Sequence, residues 1–302
     1  MSEKGLLFSD AVMTLENRHW RNVGPSPASA TAALEAGKIL FFPYLAFSLS
    51  AGEQALLDPR LVDPKRKNIS FHPAPGRLTG VAVPERQAEI RALLERYYRH
   101  CLQLLEHVLP DYRHAVREPV GTLRLHPIAA WGAKASWRKD DSRLHVDAFP
   151  SRPTHGARIL RVFTNINPNG EHRAWRVGEP FPSLARRYLP RLGRYSPFSS
   201  WLQQVIGITK TRRSRYDHVM LKLHDAMKAD EDYQQHGPQL ALNLPPGSSW
   251  ICFSDQTPHA AMGGQFMLEQ TFILPVAAMR APEHAPINVL ASLLNKPLLS
   301  RD

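Results

Sequence analysis

His145 and Asp147 stand two residues apart in "SRLHVDAF", just ahead of the apolar run "ARILRVFTNI" with its two arginines, Arg158 and Arg161. On an extended segment, residues i and i+2 face the same way. His145 and Asp147 then project together, while Val146 turns toward the core. An imidazole nitrogen and a carboxylate oxygen presented side by side are two ligands in search of a third. Two histidines and one carboxylate on one face of an octahedral ion leave the other face open, which suits non-haem Fe(II). The third ligand is expected at the mouth of a late strand. "GSSWICFSDQTPHAAMGGQFMLEQTFILPV" offers His259, after a strand from Trp250 to Phe253 and a turn from Ser254 to Pro258. The blander alternative is a structural His145–Asp147 pair with His259 capping a turn. His126, His155, His172 and His224 lack this arrangement and are expected on the surface or in packing, although His126 lies on a strand near the proposed site.

An Fe(II) oxygenase of this kind needs a co-substrate that supplies two electrons. If that is 2-oxoglutarate, its far carboxylate needs a cationic anchor, and Arg matches a carboxylate through two hydrogen bonds. The stretch "AAMGGQFMLEQTF" after His259 contains no Arg or Lys, so the anchor must come from another strand. Arg161, Phe163 and Asn165 share one face of "ARILRVFTNI" and Arg158 lies on the other. Arg161 is the first candidate and Arg158 the second. Gln270 and Thr271 are expected to add hydrogen bonds.

The elements that must position these groups follow from pattern and punctuation. "SATAALEAGKILFFPYL" predicts a short helix, a stop at Gly37 and a strand from Lys38 to Pro43. Ser50 is placed to cap a helix. "PRLVDPKRKNISFHPAPGRLTG" has the Pro-rich, basic texture of a loop. Pro84 opens a helix in which Ile90, Leu94, Tyr97, Cys101, Leu104 and Val108 recur at helical spacing. After Pro119, "VGTLRLHPI", "SRLHVDAF", "ARILRVFTNI", "GSSWICFSD" and "LEQTFILPV" are short, rich in β-branched and aromatic residues, and separated by turns. That pattern predicts an antiparallel sandwich or barrel. The expected fold is mainly β with helices (α+β), a single domain over 1–302. It has a helical N-terminal part at 1–118, a β core at 119–280 with a helical insertion at about 180–235, and a C-terminal segment at 281–302.

Composition narrows the partners. Among 302 residues, 38 Lys and Arg face 27 Asp and Glu, a formal charge of +11, which favours an anionic partner. Cys101 and Cys252 each sit in an apolar run and read as buried thiols rather than a disulfide. The N-terminus lacks the pattern of a signal peptide, and "ILFFPYLAFSL" is too short to cross a bilayer, so a cytoplasmic protein is expected.

"RLHVDAFPSRPTHGARILRVFTNINPNGEHRAWRVGEPF", together with "HAAMGGQFMLEQTF", resembles the Kdo hydroxylases, and the resemblance covers most of the chain. It implies a double-stranded β-helix (a cupin-like jelly roll). It also implies an Fe(II)- and 2-oxoglutarate-dependent dioxygenase that uses O2 to hydroxylate the acidic sugar Kdo at C3 on Kdo-lipid A. The product is Ko, in the lipopolysaccharide inner core. The metal ligands it implies are His145, Asp147 and His259. Arg124, Arg138, Lys139, Arg143, Arg173 and Arg176 flank the site in sequence. Of these, Arg124, Arg143 and Arg176, with Trp175, are the expected contacts to the acidic substrate. "RRYLPRLGRYSPFSSWLQQVIGITKTRRSR" interleaves cations with Tyr195, Phe198, Trp201 and Ile206, a mixture suited to peripheral contact with the cytoplasmic face of the inner membrane. A homo-oligomer is left open.

Two rivals keep part of this reading. One is a 2-oxoglutarate oxygenase acting on nucleic acid, disfavoured because no aromatic stacking platform accompanies the cations. The other is a non-catalytic, cupin-like protein that binds an acidic glycan.

Overall fold

The computed structural model describes residues 8–21, 27–132, 136–192 and 213–299. Their strands are, in chain order, β1 (Val12–Thr14), β2 (Ile39–Phe42), β3 (Ile69–His72), β4 (Arg77–Thr79), β5 (Arg117–Arg124), β6 (Arg158–Asn165), β7 (Arg173–Gly178), β8 (Gln239–Leu244), β9 (Ser249–Phe253), β10 (His259–Gly263) and β11 (Met267–Leu274). They form two sheets: eight strands in the order β1-β2-β9-β6-β11-β5-β3-β4, and three in the order β10-β7-β8. The segment around His145 joins the smaller sheet through one antiparallel bridge, His145 to His259. This is a double-stranded β-helix with helices on the outside of the larger sheet.

The outer face of the larger sheet is covered by the long helix Gln87–Val108. Its stripe of Ile90, Leu94, Tyr97, Cys101, Leu104 and Val108 is buried, as the helical spacing predicts. Gly121 in β5 allows a close approach, because a Cβ there would lie 3.3 Å from Gln270 Oε1 and 3.6 Å from Leu94. Ser50 caps its short helix with a full capping box involving Glu53. Cys101 and Cys252 are buried free thiols.

Between the sheets a second apolar cluster gathers Phe163, Trp175, Val177, Leu242, Leu244, Trp250, Cys252 and Met267. Phe163 stacks on Trp250 at 5.3 Å between ring centroids, and Trp175 meets Trp250 edge-on at the same distance. Burial of each large ring contributes roughly 2–3 kcal/mol. One end of the sandwich is therefore dry and rigid, and the polar residues collect at the other.

Residues 1–118 are not simply helical. They supply β1 to β4, and the stretch expected as a loop, "NISFHPAPGRLTG", contains the hairpin β3–β4. Alternation is masked there by Pro73 and Pro75, which belong to the turn. The strands β7, β8 and β10 also exceed the sequence expectation. They are short, and β7 and β8 turn one face partly to solvent, with Ala174 and Arg176 directed outward. The region at 180–235 holds the helices Phe181–Tyr188, Arg215–Ala229 and Glu231–His236. Tyr195, Phe198, Trp201 and Ile206 lie outside the described residues. The C-terminal segment carries the helix Pro286–Leu294, which contacts Phe181–Tyr188. Among the described residues no helix is long and apolar enough to cross a membrane.

Candidate active site

The bridge that joins the two halves of the site is a reciprocal backbone pair. His145 N donates to His259 O at 3.1 Å, and His259 N donates to His145 O at 2.9 Å. This brings together two stretches more than a hundred residues apart. Asp147 N donates to Ser254 O at 2.8 Å, which fixes the next ligand against the turn after β9. Val146 between them is fully buried in the other direction. One ligand atom from each of His145, Asp147 and His259 falls within 4.8 Å of the others.

The histidines are held in the tautomer that a metal needs. His145 Nδ1 lies 2.7 Å from Arg143 O, and His259 Nδ1 lies 2.9 Å from Thr257 O. A carbonyl oxygen only accepts, so each Nδ1 carries the proton and each Nε2 keeps its lone pair. Burial keeps both rings neutral: it lowers the His145 pKa to about 4 and depresses that of His259. The 3.7 Å separation of His145 Nε2 from Asp147 Oδ1 is thus a gap between two ligand atoms, not an ion pair. The rings are braced as well. Trp175 stacks on His259 at 5.2 Å, and His224 meets His145 edge-on at 5.3 Å.

Asp147 would be pushed up by burial, but Arg161, His145 and His259 together pull its carboxyl well below the usual range. Arg161 Nη2 lies 3.2 Å from Asp147 Oδ2, and Arg161 Nη1 lies 3.3 Å from Glu269 Oε1. Glu269 also accepts from Arg124 Nε at 2.9 Å and Nη2 at 2.7 Å. Arg124 in turn lies 3.9 Å from Asp141, which pairs with Lys67. An alternating chain of charge therefore runs from the rim to the metal ligand. Burial would raise the Glu269 carboxyl, and Arg124 with Arg161 brings it below its ordinary value, so it is ionised.

These groups line a cavity of about 220 Å³ whose wall includes Lys67, Arg124, Asp141, Arg161, Arg173 and Trp175 beside the triad. Arg173 is 2% exposed and hydrogen-bonds Gly264 O at 3.0 Å, with no carboxylate partner among the described residues. Gly264 adopts φ +101°, and a Cβ there would lie 3.1 Å from Arg173 Cα, so only glycine fits that turn comfortably. Asp147 Oδ2, Arg161 Nε, Arg173 Nε and Trp175 Nε1 are buried without a hydrogen-bond partner. Two free imidazole lone pairs, an ionised carboxylate and unsatisfied donors fit a metal ion with an anionic ligand beside it.

Several expected residues fall elsewhere. Arg158 is fully buried on the far face of β6, with Nε 2.8 Å from Asp255 Oδ2 and Nη2 2.6 Å from Gln256 Oε1. Gln270 points toward the helix side because its neighbours Glu269 and Thr271 face inward, and its amide donates to Thr271 O. Arg143 binds Lys228 O and Glu231, and Arg176 binds Ser142 O, Gln234 O and Gln239. Both brace the segment that leads into His145 from outside the cavity. Arg124 and Trp175 do reach the cavity, but Trp175 is a packed wall, its ring already stacked. Lys67 and Asp141 were not expected there, nor was Glu269 behind Arg124 and Arg161. For Glu269, a charged residue at the same parity as Thr271 within an apolar strand is the signal.

The family model for 3-deoxy-D-manno-oct-2-ulosonic acid (Kdo) hydroxylase matches residues 20–297. The chain belongs to the Kdo hydroxylase family. Solved structures of the Kdo hydroxylase KdoO, a non-heme Fe(II) alphaketoglutarate-dependent dioxygenase, are similar throughout. The complex with alphaketoglutarate and Fe(III) is 43% identical at a TM-score of 0.92, over 97% of this chain and 98% of that one. The complex with succinate and Fe(III) is 42% identical at a TM-score of 0.91, over 96% and 98%. A search of curated proteins finds no match. As a Kdo hydroxylase family member, the chain is an Fe(II)- and 2-oxoglutarate-dependent dioxygenase, with His145, Asp147 and His259 as its metal-binding group.

Proposed function

We propose that this enzyme hydroxylates Kdo at C3 on Kdo-lipid A, giving Ko in the lipopolysaccharide inner core, at the cytoplasmic face of the inner membrane. The observation that carries the reading is the charge balance at the site. Lys67, Arg124, Arg161 and Arg173 face Asp141, Asp147 and Glu269, four cations against three carboxylates. A divalent ion leaves three positive charges in excess. The dianion 2-oxoglutarate and one sugar carboxylate neutralise them, whereas a neutral acceptor leaves a buried charge unpaired at a cost of several kcal/mol.

When bound, Fe(II) with 2-oxoglutarate supplies the chemistry that activates O2. The chain's own residues do the rest. Thr257 O and Arg143 O orient the two imidazoles, and Arg161 holds Asp147. We assign the far carboxylate of 2-oxoglutarate to Arg161 and the carboxylate of Kdo to Arg173, which lacks an acid partner among the described residues. Fixing one C–H bond beside the metal is the main contribution of such a scaffold.

Mass spectrometry of Kdo-lipid A after incubation with enzyme, Fe(II), ascorbate and 2-oxoglutarate tests this. One oxygen atom gained on the sugar, and lost in His145→Ala, supports it. No gain on any Kdo-bearing lipid removes the substrate assignment.

A further inference from the structure

The larger sheet is wider than its partner. Beyond β11 it continues through β5, β3 and β4, and the inward face of these strands, bearing Ser70, Thr79 and Thr122, lines a groove. An inward face left open in this way could be expected to carry apolar residues beneath loops. It carries mostly polar ones, with Val120 and Ile273 among them. In register across the sheet, Thr79 pairs with Ser70, Ser70 with Thr122 and Thr122 with Glu269. A parallel row sets Arg77 beside His72, and Thr271 beside Arg161. These rows floor a groove of about 490 Å³, walled by Phe149 to Arg152 of the loop that follows Asp147 and flanked by Arg66. Arg161 lines both this groove and the metal cavity, and its ion-pair partner Glu269 lines the groove, so the two spaces meet at Arg161.

Beyond Arg161, the groove's cations are at most weakly committed. Arg66 and Arg77 are exposed and have no ion-pair partner among the described residues. Arg152 has only a 3.8 Å approach to the exposed Glu118. From Arg161 on β6 to Arg77 on β4 is four inter-strand steps, about 19 Å at the usual spacing. That is longer than the sugar that reacts.

We propose that this overhang seats a second anionic group of the acceptor, a phosphate displaced along the glycolipid from the reacting Kdo. The proposal rests on the acidic-glycolipid reading above and adds where the rest of the acceptor lies. The hydroxyls of Ser70 and Thr122 donate to sugar and phosphate oxygens along the track, and Arg66, Arg77 and Arg152 balance the charge.

R66A, R77A and R152A test it, since all three side chains lie outside the core. Affinity is measured without turnover, in anaerobic Co(II)- and 2-oxoglutarate-loaded protein. The probes are Kdo-lipid A in detergent micelles, the same lipid after phosphatase treatment, and free Kdo. Loss of one charge-assisted contact should weaken the intact acceptor about 10-fold. Free Kdo and 2-oxoglutarate should bind each variant as they bind the parent. Phosphatase treatment of the acceptor should erase the difference between parent and variants; a difference that persists on the dephosphorylated lipid overturns the assignment of a phosphate to this groove. Variants that bind the intact acceptor as the parent does overturn the proposal, and so does an equal loss on free Kdo. A parent that binds through these arginines but adds no oxygen would instead sink the hydroxylation reading alone.

Discussion

The guanidinium of Arg161 bridges Asp147 and Glu269, 3.2 Å from the first and 3.3 Å from the second. The metal ligand is thereby tied to a buried carboxylate on a different strand. A co-substrate carboxylate that enters at Arg161 meets a cation already oriented from both sides.

Replacing Arg161 with Met should raise the Kd for 2-oxoglutarate by about 100-fold, the scale of one buried charge-assisted pair. Titration of 2-oxoglutarate against the Co(II)-substituted protein, followed by absorbance, reads this without turnover. An unchanged dissociation constant would move the anchor to another cation, with Arg173 next to be tested.

Glu269 acts through its partners, since it is buried and touches Arg124 and Arg161 rather than any ligand position of the triad. Glu269→Ala leaves both guanidinium groups without their shared counter-charge and should destabilise the fold by about 3 kcal/mol. Glu269→Gln keeps the shape and part of the hydrogen bonding and should lose less. Thermal melts of the two variants give the order directly. Equal melting temperatures for parent and Glu269→Ala would contradict it.

Arg158 gives the opposite kind of variant. Its guanidinium pairs with Asp255 and lies 3.8 Å from the centroid of the Phe253 ring. Arg158→Met strands a buried carboxylate and should cost about 3–5 kcal/mol of stability. Below its melting temperature, the variant should bind 2-oxoglutarate as the parent does. A selective loss of 2-oxoglutarate affinity would restore Arg158 as an anchor.

The metal-free protein should lose stability as pH falls. The His145 pKa is about 4 when folded, against an ordinary 6.5. Below pH 6.5 the unfolded chain takes up a proton that the folded ring refuses, so this contribution is complete above 6.5 and is lost as pH falls through about 4. The His259 shift has the same sign. Asp147 and Glu269, both held below their ordinary values, extend the loss to lower pH. Urea unfolding from pH 7.5 to 4.5 should show falling midpoints, with a shallower slope in His145→Gln. A flat profile would mean that these rings are protonated inside the fold.

How far the sequence discloses this site depends on the period of each segment. His145, Asp147 and His259 are legible because i and i+2 on an extended chain share a face and a late strand must close the barrel. The same rule separates Arg161 from Arg158, and it places Glu269 rather than Gln270 inside. The smaller sheet is harder to see. "RAWRVG" and "HAAMG" are short, and each faces solvent in part, so alternation is diluted by Ala, Gly and Arg. The hairpin β3–β4 hides behind its own prolines, and with it Lys67, whose place in the cavity depends on that hairpin's position at the sheet edge. Arg143 and Arg176 show a limit of another kind. Nearness in sequence to the ligands says nothing about which side of the segment a long side chain takes.

Anaerobic addition of Fe(II) and 2-oxoglutarate, followed by visible absorption, tests the convergence of the three ligands most directly. The parent protein should develop a metal-to-ligand charge-transfer band at one equivalent of iron, and His145→Ala and His259→Ala should not. A band that survives both substitutions, or one that never forms in the parent, would contradict the site described for His145, Asp147 and His259.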